Sequence, residues 1–92
     1  MRQYELMIVL PAEEGPQQAG REQVQADLSA QGAEIEKTTE IGDRDLAYEI
    51  DKQHRGKYVL YNIKLDPAKV AHLDKTFKLN NNLLRYLFVN IT

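Results

Sequence analysis

Tyr4-Glu5-Leu6-Met7-Ile8-Val9-Leu10 is an apolar run broken by one polar residue and reads as a first strand, whose successive side chains point to opposite faces. Tyr4, Leu6, Ile8 and Leu10 fall on one face, while Met7 and Val9 make the other face partly apolar. Pro11 ends this strand, 12–15 reads as a loop, and Pro16 suits a first helical turn. Over 17–31 the period changes. Gly20, Val24 and Leu28 recur at i, i+4 and i+8, a narrow helical stripe that would face a sheet, and Gly32 is a natural stop. A mid-helix glycine costs about 1 kcal/mol relative to alanine, so this helix is expected to depend on packing more than on propensity.

A polar alternating stretch follows over 33–41 and reads as a half-exposed strand. Gly42 interrupts it, as at a bulge or bend. The strand then resumes with Leu46, Tyr48 and Ile50 alternating with Ala47 and Glu49, the pattern of a half-buried strand. A long polar strand with a bend suits the edge of a sheet. Lys52-Gln53-His54-Arg55-Gly56-Lys57 breaks the apolar pattern and reads as a short cationic loop, after which Tyr58 to Leu65 forms the next strand. The two strands make a hairpin with a positive tip.

Asp66-Pro67 is a helix start, an N-cap acid followed by proline at the first helical position. Val70, Leu73 and Phe77 give this helix its apolar face, and Lys75 and Lys78 complement its C-terminal dipole. Asn80-Asn81-Asn82 is a turn, and 83–91 is a last strand that is apolar on both faces. The order β-α-β-β-α-β, with right-handed crossovers, puts both helices on one face of a four-stranded antiparallel sheet. The expected class is α+β, a ferredoxin-like βαββαβ arrangement forming a single domain over 1–92. Helices cover one sheet face only. Met7, Val9, Tyr58, Leu60, Leu87 and Val89 are expected on the other, an apolar patch of the kind that marks a partner site.

Composition narrows the classes. At 92 residues with 42% hydrophobic and 28% charged positions, this is an ordinary globular domain. No run approaches the ~18 apolar residues of a membrane span, and no signal-peptide pattern precedes the first strand. Without cysteine there is no disulfide framework, thiolate metal site or cysteine nucleophile, which fits a reducing cytoplasm. Net charge is −2, but its distribution is uneven. Up to Leu46 ten acids oppose four bases, and from Ala47 onward eight bases oppose four acids. Such a chain could present one basic side to a polyanion.

No catalytic constellation is visible. His54 and His72 are the only histidines, and neither has a nucleophile or carboxylate partner evident from spacing. The hydrolase, zinc, P-loop and EF-hand motifs are absent. The expectation is a non-enzyme without cofactor or metal. Arg55-Gly56-Lys57-Tyr58-Val59-Leu60-Tyr61 is superficially similar to the third-strand signature of RNA-recognition motifs, yet Lys57 and Val59 stand where the stacking aromatics belong. Base stacking is therefore rejected. The remaining RNA mode sets strand ends and the charged loop against phosphates. Arg2, Lys52, His54, Arg55, Lys57 and Arg85 are the candidates, worth roughly three to five contacts and more effective within a larger assembly than alone. A ferredoxin-like domain that self-dimerises or binds a small ligand for regulation is the alternative.

Gly42-x-Arg44-x-Leu46-Ala47-Tyr48-x-Ile50 closely resembles the signature of the bacterial small-ribosomal-subunit protein six family. Arg2-x-Tyr4-Glu5, the glycine-containing cationic stretch before Tyr58, and Asn82-Leu83-Leu84-Arg85-Tyr86-Leu87 extend the likeness along the chain. The resemblance implies a ferredoxin-like fold without catalysis. It also implies binding to small-subunit rRNA at the platform, with small-subunit protein eighteen as heterodimeric partner, in the cytoplasmic ribosome. By motif, Arg2, Arg85 and the cations at 52–57 would lie toward RNA or the partner. Arg44, Leu46, Ala47, Tyr48 and Ile50 would belong to the partner-side strand. Glu49 stands where many members have proline, and Asp51 where a basic or small residue is usual; both add negative charge beside the motif.

Overall fold

A computed structural model describes residues 1–50 and 52–91; Asp51, one of the two departures from the family pattern, lies outside the described residues. The elements are β1 (Arg2–Pro11), α1 (Glu14–Ala30), β2 (Glu34–Ile50), β3 (Gln53–Leu65), a 3-10 turn (Pro67–Lys69) leading into α2 (Val70–Lys78), and β4 (Arg85–Asn90). The sheet is antiparallel throughout, in the order β2-β3-β1-β4. The expected ferredoxin-like architecture is what forms, with the polar strand β2 at an edge.

Alternation in the two central strands decides the core. Tyr4, Leu6, Ile8 and Leu10 of β1 and Val59, Tyr61, Ile63 and Leu65 of β3 are buried against Val24 and Leu28 of α1 and Leu73 and Phe77 of α2. The stripe expected on α1 is the one observed, since Gly20, Val24 and Leu28 are all buried. Gly20 has a further reason to lack a side chain. The turn after α2 crosses directly over it, so that a Cβ there would sit 2.1 Å from the backbone oxygen of Asn82. The Asn80 amide also donates to the Gly20 carbonyl at 3.2 Å.

Helix α1 begins at Glu14, three residues ahead of the expected Gln17. Its first i→i−4 bond is donated by Gln17 to Glu13 O at 2.9 Å, so Pro16 occupies a first-turn position whose N–H would have had no partner. At α2 the Asp66 carboxylate accepts from the Ala68 N–H at 3.0 Å, the cap read from sequence.

Of the loop expected over 52–57, all but Lys52 is instead strand. β3 starts at Gln53, and Lys52 just before it is a turn residue in left-handed backbone at φ 64°. The reason lies in the register. β1 reaches only to Pro11 opposite Gly56, so 53–55 have β2 as their one neighbouring strand. A two-stranded arm beyond the core needs no apolar face, and its polarity imitated a loop. The arm also departs from a regular ladder. Register shifts fall between Ile35 and Lys37, between Glu40 and Gly42, and between Asp45 and Ile50; Gly42 takes φ 104° at the second of these. The half-burial expected of Tyr48 does not occur: it is 62% exposed.

On the other edge, Tyr86 and Phe88 of β4 pack against α2. The Phe77 ring lies parallel to Phe88 at 5.9 Å and edge-on to Tyr86 at 5.3 Å. The Tyr86 hydroxyl donates to the Asp74 carboxylate. Burial, and then this carboxylate, push the Tyr86 phenol up to about 12, while the hydrogen bonds from Tyr86 and Lys78 lower Asp74. The raised phenol therefore stabilises the fold fully below the ordinary tyrosine pKa near 10. That contribution fades as pH rises through about 12. The lowered carboxyl acts at the acid end, stabilising above its ordinary pKa and losing that effect as pH falls. A phenolate-absorbance titration should show a step near pH 12 that disappears in Tyr86→Phe. Its persistence in the variant would show that another phenol is responsible.

Candidate interaction surfaces

Along the ribbon made by β2 and β3, acids of β2 pair with bases of β3. Glu36 meets Lys64 at 3.6 Å, Glu40 meets Lys57 at 3.7 Å, Asp45 meets Arg55 at 3.3 Å, and Glu49 meets the His54 imidazole at 3.8 Å. Glu40 also takes a two-pronged bond from Arg21 of α1, Nη1 to Oε2 and Nη2 to Oε1, both 2.9 Å. That bond, the flanking Lys57 charge and the Arg21 charge hold the Glu40 carboxyl below its usual range, and the same bond raises Arg21. The cluster ties α1 to the edge strand. Cross-strand pairs of this kind contribute a few tenths of a kcal/mol to about 1 kcal/mol each where exposed, so their effect is more on register than on stability.

The other sheet face is uncovered. Met7 sits opposite Leu60 on one side and Leu87 on the other; Val9 sits between Tyr58 and Arg85; Glu5 faces Asn62 and Val89. The apolar residues expected from alternation do share this face, with Leu87 61% and Val89 42% exposed, but Val9, at 4%, is buried. Arg44 joins this face through its register position opposite Gly56. Leu46 folds over the same glycine, its Cδ2 3.4 Å from where a Cβ would be, beside Val9. Tyr48 reaches across from the arm to β4. Its hydroxyl accepts from Arg85 Nη1 at 3.0 Å, and the guanidinium lies over its ring at 5.8 Å. A depression of about 200 Å³ opens here, lined by Met7, Val9, Tyr58, Arg85, Tyr86 and Leu87.

The sequence-derived candidates thus separate. Lys52, His54, Arg55 and Lys57 share the arm, but Lys57 is mostly covered and His54, Arg55 and Lys57 each already face a carboxylate. Arg2 lies at the far end of β1, opposite Leu65, remote from that group. Arg85 stands with Tyr48 on the open face. Of the expected partner-side residues, Arg44, Leu46 and Tyr48 gather there too; Ala47 is exposed and Ile50 half-buried, close to the turn. Arg44 has no carboxylate within ion-pair distance among the described residues, and donates only to the Asp43 carbonyl at 3.2 Å. The role of Glu40 as a hub between Arg21 and Lys57 was not readable from sequence, since Arg21 and Glu40 are joined only by the packing of α1. The Tyr48–Arg85 contact was equally hidden: it depends on the irregular register after Asp45.

No helix is long and apolar enough to cross a membrane, and no group of three or more His, Cys, Asp or Glu among the described residues could hold a metal. The sequence model of the family described as Ribosomal protein S6 matches residues 3–90. Over 91 residues the chain is 50% identical to the small ribosomal subunit protein bS6 of Treponema denticola, covering 99% of this chain and 98% of that protein. It is 43% identical to the protein of the same name from Halalkalibacterium halodurans, covering 95% of this chain and 94% of that protein. Among solved structures, the 30S ribosomal protein S6 of Thermotoga maritima superposes with a TM-score of 0.85 over 98% of this chain and 87% of that one. At 22% identity that likeness speaks to the fold.

Proposed function

Because this chain belongs to the ribosomal protein S6 family, and so to the structural proteins of the small ribosomal subunit, we propose that it is a non-catalytic scaffold. In this reading it binds 16S rRNA at the platform together with small-subunit protein eighteen. The observation that carries it is the uncovered sheet face, an apolar surface with Leu87 and Val89 exposed, built on a chain whose relatives are ribosomal along their whole length. Large exposed apolar patches mark partner surfaces. The two tasks divide between two places. The open face, with Arg44, Leu46, Tyr48 and the neighbouring Ala47 and Ile50, receives the protein. The end of the arm, with Lys52, His54 and Arg55, approaches phosphates; Lys57 and Arg2 contribute from its base and from the opposite end of the sheet.

Ion pairs do not disqualify the arm cations. Exposed pairs such as Arg55–Asp45 are worth little in water and can be exchanged for a phosphate. The test is binding to a platform rRNA fragment, with and without protein eighteen, across a salt series. Wild type should bind best with the partner present, and affinity should fall steeply with salt. In the Lys52→Glu, Arg55→Glu double variant, affinity should drop and the log–log salt slope should flatten by about 1 to 2, the effect of losing one or two phosphate contacts. An unchanged slope removes the arm from the RNA surface. A wild-type chain that binds neither RNA nor protein at any salt, and sediments as a stable homodimer, would replace the scaffold reading by a self-associating domain.

A further inference from the structure

We infer that the depression bounded by Tyr58, Arg85 and Leu87 is the anchor pocket of the protein-binding face, and that it takes one apolar side chain of the partner lying next to a partner carboxylate. This rests on the open face being the protein-binding side and adds what the partner must present to it.

Size is the first ground. Sites for small molecules usually span roughly 300–1,000 Å³. This depression, at about 200 Å³, suits a single large apolar side chain. Its floor is Met7 and Val9, and its wall is Leu87. Methionine adapts its shape to an incoming group, and a concave apolar spot flanked by exposed apolar positions is where interface anchors seat.

Charge is the second ground. Every basic side chain of β3 (His54, Arg55, Lys57 and Lys64) faces a carboxylate of β2 within 4 Å. Arg85, at the rim of the pocket, faces none among the described residues. Its hydrogen-bonding side-chain neighbour is the neutral Tyr48 hydroxyl, which satisfies one donor and leaves the charge uncompensated. Glu5, on the same face, is opposite Val89, at the other end of β4 from Arg85. A guanidinium offers five donors in a planar fork, and a carboxylate is the group that fits it two-pronged. The Tyr48 ring already lies against Arg85, so the rim is held in place before any partner arrives.

A nucleobase fits less well. Base recognition on open sheets relies on free aromatic faces. Here Tyr58 is half-buried at the wall, Tyr86 packs on Phe77, the floor is Met7 and Val9, and the guanidinium already lies over the Tyr48 ring. Arg85 therefore belongs with the protein-binding residues rather than with the phosphate-binding arm.

Two variants test the pocket, and both alter exposed side chains, which protects the fold: Leu87→Asp at the wall and Arg85→Gln at the rim. Each is titrated calorimetrically with purified small-subunit protein eighteen in the absence of RNA, and separately with the platform rRNA fragment in the absence of that protein. Thermal unfolding of both variants serves as the folding control. Each variant should weaken the protein complex about tenfold or more and leave the RNA-only affinity within about twofold of wild type. If wild type binds the protein and both variants match it, the pocket is not the anchor, while the scaffold function stands. If the variants lose RNA-only affinity instead, the depression is a nucleic-acid site and the inference is overturned. If wild type itself fails to bind protein eighteen, the functional reading falls and takes the pocket with it.

Discussion

Replacing Phe77 by alanine should lower the free energy of unfolding by about 3–5 kcal/mol. The ring is 1% exposed, lies parallel to Phe88 and packs edge-to-face with Tyr86, so it is the side chain that fastens α2 to the edge strand β4. Its removal forfeits the transfer energy of a large aromatic and leaves a cavity. The neighbours cannot fill that cavity freely: Phe88 and Tyr86 are anchored to a sheet strand, and the Tyr86 hydroxyl is held by Asp74. Domains of this size have about 5–15 kcal/mol of stability in total, so the variant should sit close to its folding threshold. Denaturant titration checks this, through the midpoint at unchanged slope. A loss below 1 kcal/mol would mean that α2 does not depend on this contact. Phe77→Leu should recover much of the loss, because it restores most of the volume without the ring stacking.

The second large effect has a sign that helix propensity gets wrong. In an exposed helix interior, Gly20→Ala would stabilise by about 1 kcal/mol. Here the new methyl group would stand 2.1 Å from the Asn82 carbonyl oxygen and 2.9 Å from its carbon. Those are backbone atoms, and no side-chain rotation relieves them. The expected result is net destabilisation of about 1–3 kcal/mol, the usual range for overpacking, together with strain on the Asn80-to-Gly20 hydrogen bond. Adding Asn82→Gly to the variant should restore little, because the clash is with the carbonyl. Thermal or denaturant unfolding decides the sign. A stabilised single variant would show that the turn over α1 moves aside at little cost.

These two positions show where sequence reading succeeds. Phe77 is legible from the spacing of Val70, Leu73 and Phe77, because a helix that packs on a sheet has to place its apolar residues that way. Gly20 is legible as part of a stripe but not as a crossing point, because the segment that crosses it lies some sixty residues downstream. The same division holds at the functional surfaces. Alternation in β1, β3 and β4 identified the open face residue by residue, since a strand can only point its side chains two ways. It failed in the arm. Beyond Pro11 no third strand and no helix impose a buried side, so polarity no longer distinguishes strand from loop. Tyr48 escaped for a related reason: its register is irregular after Asp45, and a residue outside a regular ladder has no face that parity can assign.

The place of β1 in the sheet has a consequence for how the molecule is made. This strand leads the chain and holds Leu6, Ile8 and Leu10, the heart of the core, yet its two neighbours are β3 and β4. Pro11 waits for Gly56, and Tyr4 waits for Asn90, almost the whole length of the sequence. Translation at about 5–20 residues per second leaves it unpaired for several seconds while the remainder emerges. Its apolar side chains meanwhile have only α1 to cover them. Such long-range closure slows folding relative to helical bundles of equal size. The strand synthesised first is enclosed last.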